Sequence, residues 1–214
     1  ALVMMALYVL GILAGILCAL VLKRTWFHGK PMPFVMELPN YRFPSAKSVA
    51  LLMWDKAKDF IQRAFTVIFL ATMIIWFLQT FDTRLNVVTD SGESLLAMIG
   101  KLIAPLFMPL GFDDWRAATA LISGFSAKEA VVSTLSVLTG TTMSGLGDTL
   151  GTIFTPLSAA SYLVFTLLYT PCVAAVATIK RELGSVWKTF GIVGMQCGVA
   201  WLAAFVVYAI GSLL

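Results

Sequence analysis

The sequence predicts an all-α polytopic membrane protein with a discontinuous helix and an interfacial helix on the cytoplasmic face. Three observations predict it. Of 214 residues, 59% are hydrophobic and 12% charged, against about 45–50% and about 25% in ordinary globular chains, and the mean hydropathy is +0.91. A soluble chain of this size lacks the interior to hide that much apolar surface, so the excess faces lipid. Apolar runs recur at the length of about 20 residues that a helix needs to cross a bilayer. The charges crowd at the ends of those runs. The same arithmetic excludes a disordered chain, a nucleic-acid-binding protein and a disulfide-stapled secreted scaffold. The net charge of +4 reports the Lys and Arg that flank the spans, not an affinity for nucleic acid.

The elements follow in order. Residues 1–22 form a first span, closed by Lys23, Arg24 and an interfacial Trp26. It opens inside an apolar run with no initiator Met and no basic leader, which reads as a piece of a longer protein without a signal peptide. Residues 23–63 carry eight of the fifteen Lys and Arg against only Glu37, Asp55 and Asp59, so the positive-inside rule makes this segment cytoplasmic. Pro31, Pro33, Pro39 and Pro44 forbid a continuous helix there. Ser45 then caps an amphipathic interfacial helix with Val49, Leu52, Met53, Phe60 and Ala64 roughly on one face. It runs straight into a span over Ala64–Phe81, the start of a membrane domain over residues 64–214.

Asp82–Glu93 reads as a polar external loop. Leu95–Leu110 is short, carries Lys101 and is interrupted by Pro105 and Pro109, so it is either a kinked span or a re-entrant segment. A crossing places Lys180, Arg181 and Lys188 on the same side as residues 23–63, and the charge bias favours that or an equivalent change of side. Trp115–Gly140 is long enough to span, although Ser123, Gly124, Ser126, Lys128 and Glu129 lie near its middle. Thr141–Pro156 is Gly- and Thr-rich and carries only Asp148. Spans over Leu157–Ile179, with Pro171 inside, and Val186–Leu213 complete a set of five or six.

Lys128-Glu129 weighs most for function. A charge at the bilayer centre costs about 2.5–3.5 kcal/mol on insertion scales, and Lys128 sits too deep to snorkel out. Sequence neighbours point about 100° apart on a helix, so these two do not pair with each other there. On a regular helix Ser126, Glu129, Ser133 and Ser136 share one polar face, while Lys128 lies with Leu121, Gly124, Val132 and Leu135. Either Lys128 has a partner on another helix or the helix unwinds around residues 123–126, as transporter helices do where they line a cavity. The two roles open to the pair are a transport pathway and a structural ion pair that locks helices together.

Cys172 follows Pro171, which frees a backbone carbonyl one turn earlier, and a thiolate is a soft ligand for a borderline metal. Cys18 and Cys197 sit in plain apolar contexts, and His28 is the only histidine. Residues 145–151 are a flexible glycine-rich loop without phosphate-loop spacing. No G-x-x-x-x-G-K-[ST] occurs, so this chain is not expected to be an enzyme that hydrolyses nucleotide by that route.

Three stretches carry a family resemblance. Residues 33–44, PFVMELPNYRFP, closely resemble the PFxMELPxYRxP segment of the bacterial ferrous iron transport protein B family, FeoB. Residues 124–135, GFSAKEAVVSTL, resemble the GFxAKE segment in the second of that family's two gate repeats, a motif shared with nucleoside-transporter-like and spore-maturation membrane proteins. Tyr169-Thr170-Pro171-Cys172 followed by Lys180-Arg181-Glu182 is similar to the family's PC-containing helix.

The resemblance implies a gate-type helical repeat in the bacterial inner membrane: the C-terminal half of the membrane domain of a GTP-linked Fe2+ importer. GTP and Mg2+ would belong to an N-terminal G domain, which with the first gate repeat lies outside this chain. Small cytoplasmic accessory proteins and a homo-oligomer are its other implied partners. Cys172 and Glu129 become pathway ligands for Fe2+, and Lys128, Ser126, Ser133 and Gly124 belong to the pathway or gate. Glu37, Tyr41 and Arg42 match the cytoplasmic signature. Two alternatives stand beside this reading: a gate-repeat transporter of a nucleoside or other organic solute, and a non-transporting membrane assembly module packed through Gly191, Gly194 and Gly198.

Overall fold

The structure is a computed structural model that describes residues 2–25, 45–142, 145–170 and 172–213. Those residues are helical throughout apart from turns and one isolated antiparallel bridge, Phe81 to Val87. The chain divides into two compact units, Ala1–Ile61 and Gln62–Leu214. Trp26, His28 and the signature residues Glu37, Tyr41 and Arg42 lie outside the described residues.

Helix α1, Leu2–Thr25, is apolar around its whole circumference, and Lys23 and Arg24 in its last turn complement the negative end of its dipole. Helix α2, Ala46–Thr80, runs unbroken for 35 residues. Its start is capped by Ser45, whose Oγ accepts from the Ser48 N–H at 3.3 Å. The expected interfacial stretch and the span after it are both helical.

A tight loop follows. Asp82 Oδ1 accepts from the N–H groups of Arg84 (2.7 Å) and Asn86 (2.9 Å), and Ser94 Oγ caps α3 through the Ala97 N–H at 3.1 Å. Helix α3, Leu95–Ile103, tightens into a 3-10 stretch over Ala104–Leu110, where Pro105 and Pro109 supply no N–H. Gly111 ends it at φ 80. The Tyr208 ring packs where a Cβ would stand, so both backbone and space demand glycine there. Asp114 then caps helix α4, Trp115–Ser123. The α3 segment and α4 form one pair bent by 107°. Leu95–Leu110 is thus no straight span but one arm of a bent unit. Lys101 is accommodated by reaching back to the Gly92 carbonyl at 2.8 Å and lying over the Trp115 ring at 5.1 Å.

The expected discontinuous helix lies in Trp115–Gly140: α4 stops at Ser123, and helix α5, Ala130–Thr139, begins after a six-residue break, the unwinding that was one of the two options there. Two expectations are corrected. The glycine-rich loop contains a helix, α6, Leu146–Ile153. Its apolar residues Leu146, Leu150 and Ile153 recur at helical spacing against the core, and that burial outweighs the helix cost of its glycines. Leu157–Ile179 is also broken, into α7, Pro156–Leu168, and α8, Val173–Leu183. Helices α6 and α7 form a second pair bent by 102°. Helix α9, Val186–Leu213, is continuous. Among the described residues three helices are long and apolar enough to cross a membrane, or up to five spans if each bent pair counts as one.

The core lies among the short, bent helices. Helix α7 packs along α9, where Ala200 and Ala204 are fully buried and Ser161 Oγ donates to the Ala204 carbonyl at 3.1 Å. Small residues and a hydroxyl bring two backbones together, which is how membrane helices pack without a hydrophobic drive between them. Phe107, Phe112, Tyr162, Phe165 and Tyr169 form a chain of aromatic contacts through this core. By contrast, a Cβ at Gly194 or Gly198 would meet nothing within 4 Å.

Candidate functional site

Two breaks meet in the core: residues 124–129 between α4 and α5, and the break between α7 and α8, where Tyr169, Thr170 and Cys172 are described. The first opens by tightening. The Phe125 and Ser126 N–H groups donate to the carbonyls three residues back, Ile122 and Ser123, at 3.1 Å each. Ser126 Oγ adds a bond to the Ser123 carbonyl at 2.7 Å, the local side-chain competition that loosens helices. Gly124 makes room: a Cβ there would stand 2.5 Å from the Tyr169 hydroxyl and collide with the Val131 side chain.

The second break follows from Pro171. With no N–H at that position, the Leu167 carbonyl, four residues earlier, has no helical donor. Tyr169 leaves the helix with extended backbone, φ −64 and ψ 170. Cys172 sits at the cap position of α8, and its carbonyl accepts from Ala175 (2.9 Å) and Val176 (3.2 Å).

Each break completes the other. The Val173 N–H at the start of α8 donates to the Phe125 carbonyl at 2.9 Å. Lys128 Nζ donates to the carbonyls at the end of α7: Thr166 and Leu167 at 3.1 Å and Tyr169 at 3.5 Å. The same ammonium lies 4.9 Å from the centre of the Tyr169 ring. The carbonyl freed by Pro171 is thus one of those that Lys128 takes.

The sequence-predicted residues divide. Gly124, Ser126, Lys128 and Cys172 come together around the two breaks. Glu129 heads α5 with its side chain exposed and makes no hydrogen bond or ion pair with any described residue. Lys128 is therefore paired with backbone carbonyls of another helix end, and among the described residues it forms no ion pair. The polar face of Ser126, Glu129, Ser133 and Ser136 also dissolves, because it assumed a regular helix across the break. Ser133 Oγ turns to its own helix at the Ala130 carbonyl, 3.0 Å away, and Ser136 bonds the Thr141 carbonyl.

Other residues of the site had little sequence signal. Tyr169 donates its hydroxyl to the Leu121 carbonyl at 3.4 Å, tying the second break to α4. Thr170 is 2% exposed; its Oγ1 lies 3.3 Å from the Val193 carbonyl and 3.0 Å from Cys197 Sγ. Cys197, which looked like plain packing, also lines a cavity of about 470 Å3 with Phe165, Tyr169 and Trp201. A second hollow of about 350 Å3 lies between α2 and the first break, at Ile74, Phe125, Ser126 and Val173. Both hollows are apolar. Among the described residues no three His, Cys, Asp or Glu side chains cluster as a metal centre; the oxygens gathered around Lys128 are backbone carbonyls.

The Gate family model, described as nucleoside recognition, matches residues 61–186, which contain both breaks. The chain belongs to the Gate family. A second model, described as ferrous iron transport protein B C terminus, matches residues 4–56. Together they show that the chain corresponds to the C-terminal Gate and FeoB_C region of a FeoB-family protein. It is 38% identical over 213 residues to the Fe(2+) transporter FeoB of Staphylococcus aureus (strain COL), covering 99% of this chain and 32% of that protein. It is 34% identical over 219 residues to the Fe(2+) transporter FeoB of Methanocaldococcus jannaschii, again covering 99% and 32%. An Fe(2+) transport protein A/Fe(2+) transporter FeoB fusion protein of Porphyromonas gingivalis is 33% identical over 261 residues, covering 99% of this chain and 31% of that protein. The Gate-family chain thus spans about a third of the length of the curated relatives it matches. No solved structure matches it. Its long apolar helices and these relatives make it a multi-pass inner-membrane protein.

Proposed function

We propose that this chain is the C-terminal gate half of the membrane domain of a GTP-linked ferrous iron importer, and that Fe2+ passes where its two helix breaks meet. The observation that carries this reading is the pair of unwound segments at 124–129 and 169–172, bonded to each other through Phe125–Val173 and Lys128. Unwound backbone inside a bilayer is tolerated where it lines a path, and transporters bind ions there. Fe2+ is a borderline cation served by oxygen and sulfur together. Around the break Ser126 offers a hydroxyl, Glu129 a carboxylate and Cys172 a thiol, while Ser133 lies farther along α5.

The three-part division (a span over residues 1–22, a cytoplasmic segment over 23–63 carrying Glu37, Tyr41 and Arg42, and a gate domain over 64–214) belongs to the same proposal. The G domain that binds GTP and Mg2+ and the first gate repeat then lie elsewhere in the full-length protein. The P. gingivalis relative, a fusion of an Fe(2+) transport protein A with the transporter, supports a small accessory protein as partner.

Uptake of labelled Fe2+ into cells expressing the full-length protein tests this, with Cys172→Ser and Glu129→Gln compared at matched membrane abundance. Loss of uptake with thermal stability preserved puts the altered residue on the iron path. Normal uptake in both removes these ligands. If the wild type moves no iron, the second reading takes over. The Gate model's own description, nucleoside recognition, and the aromatic wall of Phe165, Tyr169 and Trp201 in the larger cavity favour a nucleoside-like solute, whose uptake would not depend on Cys172.

A further inference from the structure

We infer that the carbonyl cup at the end of α7 is a cation site on the transport path, and that Lys128 is its resident plug, an ammonium that the cargo must displace. This rests on the importer reading and names the step that the reading leaves open. Three backbone oxygens, of Thr166, Leu167 and Tyr169, converge on the ammonium at 3.1, 3.1 and 3.5 Å. The face of the Tyr169 ring closes a fourth side at 4.9 Å. These groups sit at a helix C-terminus, which carries about half a negative charge. The Thr166 hydroxyl is buried and has no hydrogen-bond partner among the described residues, so the turn that supplies the first carbonyl holds one more oxygen without a role there. Oxygens gathered around one positive centre at a half-helix end are what a transported cation needs, and here an amine fills the place.

The plug is built to leave. Lys128 stands on a non-helical segment and is only half-buried, and its flexible four-carbon stem carries a compact point charge. A divalent cation and an ammonium repel too strongly at such short range, away from bulk water, to share the cup. The charge next to it, Glu129, is exposed and has no partner among the described residues, so a released ammonium has a carboxylate within its own segment. A fixed positive charge in an iron path is a contradiction; a charge that yields to the cargo is a gate.

The test uses the full-length protein, solubilised and anaerobic, with Fe2+ as probe and Na+ as comparison. The reactivity of Lys128 toward an amine-acylating reagent is read by peptide mass spectrometry, and labelled Fe2+ binding is measured for wild type, Lys128→Met and Lys128→Arg. Displacement predicts that saturating Fe2+ speeds acylation of Lys128 severalfold while Na+ does not. It also predicts that Lys128→Met binds Fe2+ about tenfold tighter, within the usual range for two coupled ligands, and that Lys128→Arg does not. Unchanged acylation with Fe2+, or no tighter binding in a folded Lys128→Met, overturns the plug. Equal acceleration by Na+ overturns the assignment to cargo. If Lys128→Met fails to fold, acylation of the wild type decides alone. Wild-type protein that takes up no iron fails the importer reading, whereas iron uptake with unaltered Lys128 reactivity fails the plug only.

Discussion

The two breaks are opened by opposite chemistry. The 124–129 segment is loosened by small and polar residues, a glycine followed by a serine that bonds its own backbone, and it keeps every N–H it started with. The 169–172 segment is opened by a proline, which deletes a donor and leaves carbonyls behind. The first break therefore offers a side-chain donor, Lys128, and a carbonyl, that of Phe125. The second offers spare carbonyls and one spare N–H, that of Val173. Neither segment satisfies its backbone alone, and an unpaired polar group in a bilayer costs several kcal/mol. Across the breaks, the Val173 N–H pairs with the Phe125 carbonyl and the cup on α7 holds the Lys128 side chain. The difference teaches that one contact, Phe125 to Val173, is backbone to backbone, while the other runs through a single side chain that a substitution can remove.

The strongest way to break this comparison is to force the segments apart. Gly124→Val places a branched side chain against Val131 and the Tyr169 hydroxyl, where a Cβ alone is already too close. Overpacking of this kind costs about 1–3 kcal/mol, more when backbone must shift, and a loss of folded protein is expected in fluorescence-detected size exclusion. Gly194→Val is the matched control, because a Cβ there meets nothing within 4 Å, and its melting temperature should stay near the wild type. If both variants melt alike, the breaks are not packed on one another.

A second substitution pair sharpens what holds Lys128. Tyr169→Phe removes only the hydroxyl bond to the Leu121 carbonyl, worth about 0.5–1.5 kcal/mol. Tyr169→Leu also removes the ring beneath the ammonium, worth about 0.5–2 kcal/mol more. The gap between the two, read from thermal melts, should shrink in a Lys128→Met background. A gap that persists assigns the ring to packing.

What the sequence discloses here depends on range. Helices α1 and α9 follow from unbroken apolar runs, and the start of α2 follows from Ser45, because run length and capping are local. Pro171 also announces that the Leu167 carbonyl will be free. That Lys128 takes it was not legible, since the partners lie 38 to 41 residues away and both helices must already be broken and crossed. The serine face from 126 to 136 misled for the same reason: its periodicity is real, but it holds only on a helix that tertiary contacts interrupt. Helix α6 was hidden by its glycines, whose local preference is for loops, while the burial of Leu146 and Leu150 that favours a helix is non-local. The pairing of Thr170 with Cys197 carried no pattern at all, because a lone cysteine in an apolar helix resembles every other small hydrophobe.

That pairing gives a smaller test, of how far the second break is anchored away from Lys128. Thr170→Val keeps the shape but deletes the hydroxyl near the Val193 carbonyl and Cys197 Sγ. A loss of about 1 kcal/mol is expected, the net worth of one ordinary hydrogen bond plus a weak sulfur contact. Iron uptake that falls more than this loss of stability explains would draw Thr170 into the path itself, so the comparison is sharpened either way.

The smallest effect lies outside both breaks and serves as their baseline. Asp82, in the turn after α2, has its carboxyl held below the usual value of 3.8, chiefly by the backbone N–H of Asn86 and also by that of Arg84, although partial desolvation opposes them. A carboxyl whose folded value is depressed stabilises the fold fully above its unfolded value, and that contribution fades as pH falls through the folded one. The turn should therefore loosen only in acid below about pH 4. Asp82→Asn should lower the melting temperature slightly at neutral pH and not at all at low pH, where the wild type has lost the same charge. Because this turn is exposed, salt and acid should act on it while leaving the paired breaks intact. If acid at this range instead lowers the melting temperature as much as Tyr169→Leu does, the breaks contain a titrating group, and their pairing does not rest on backbone and Lys128 alone.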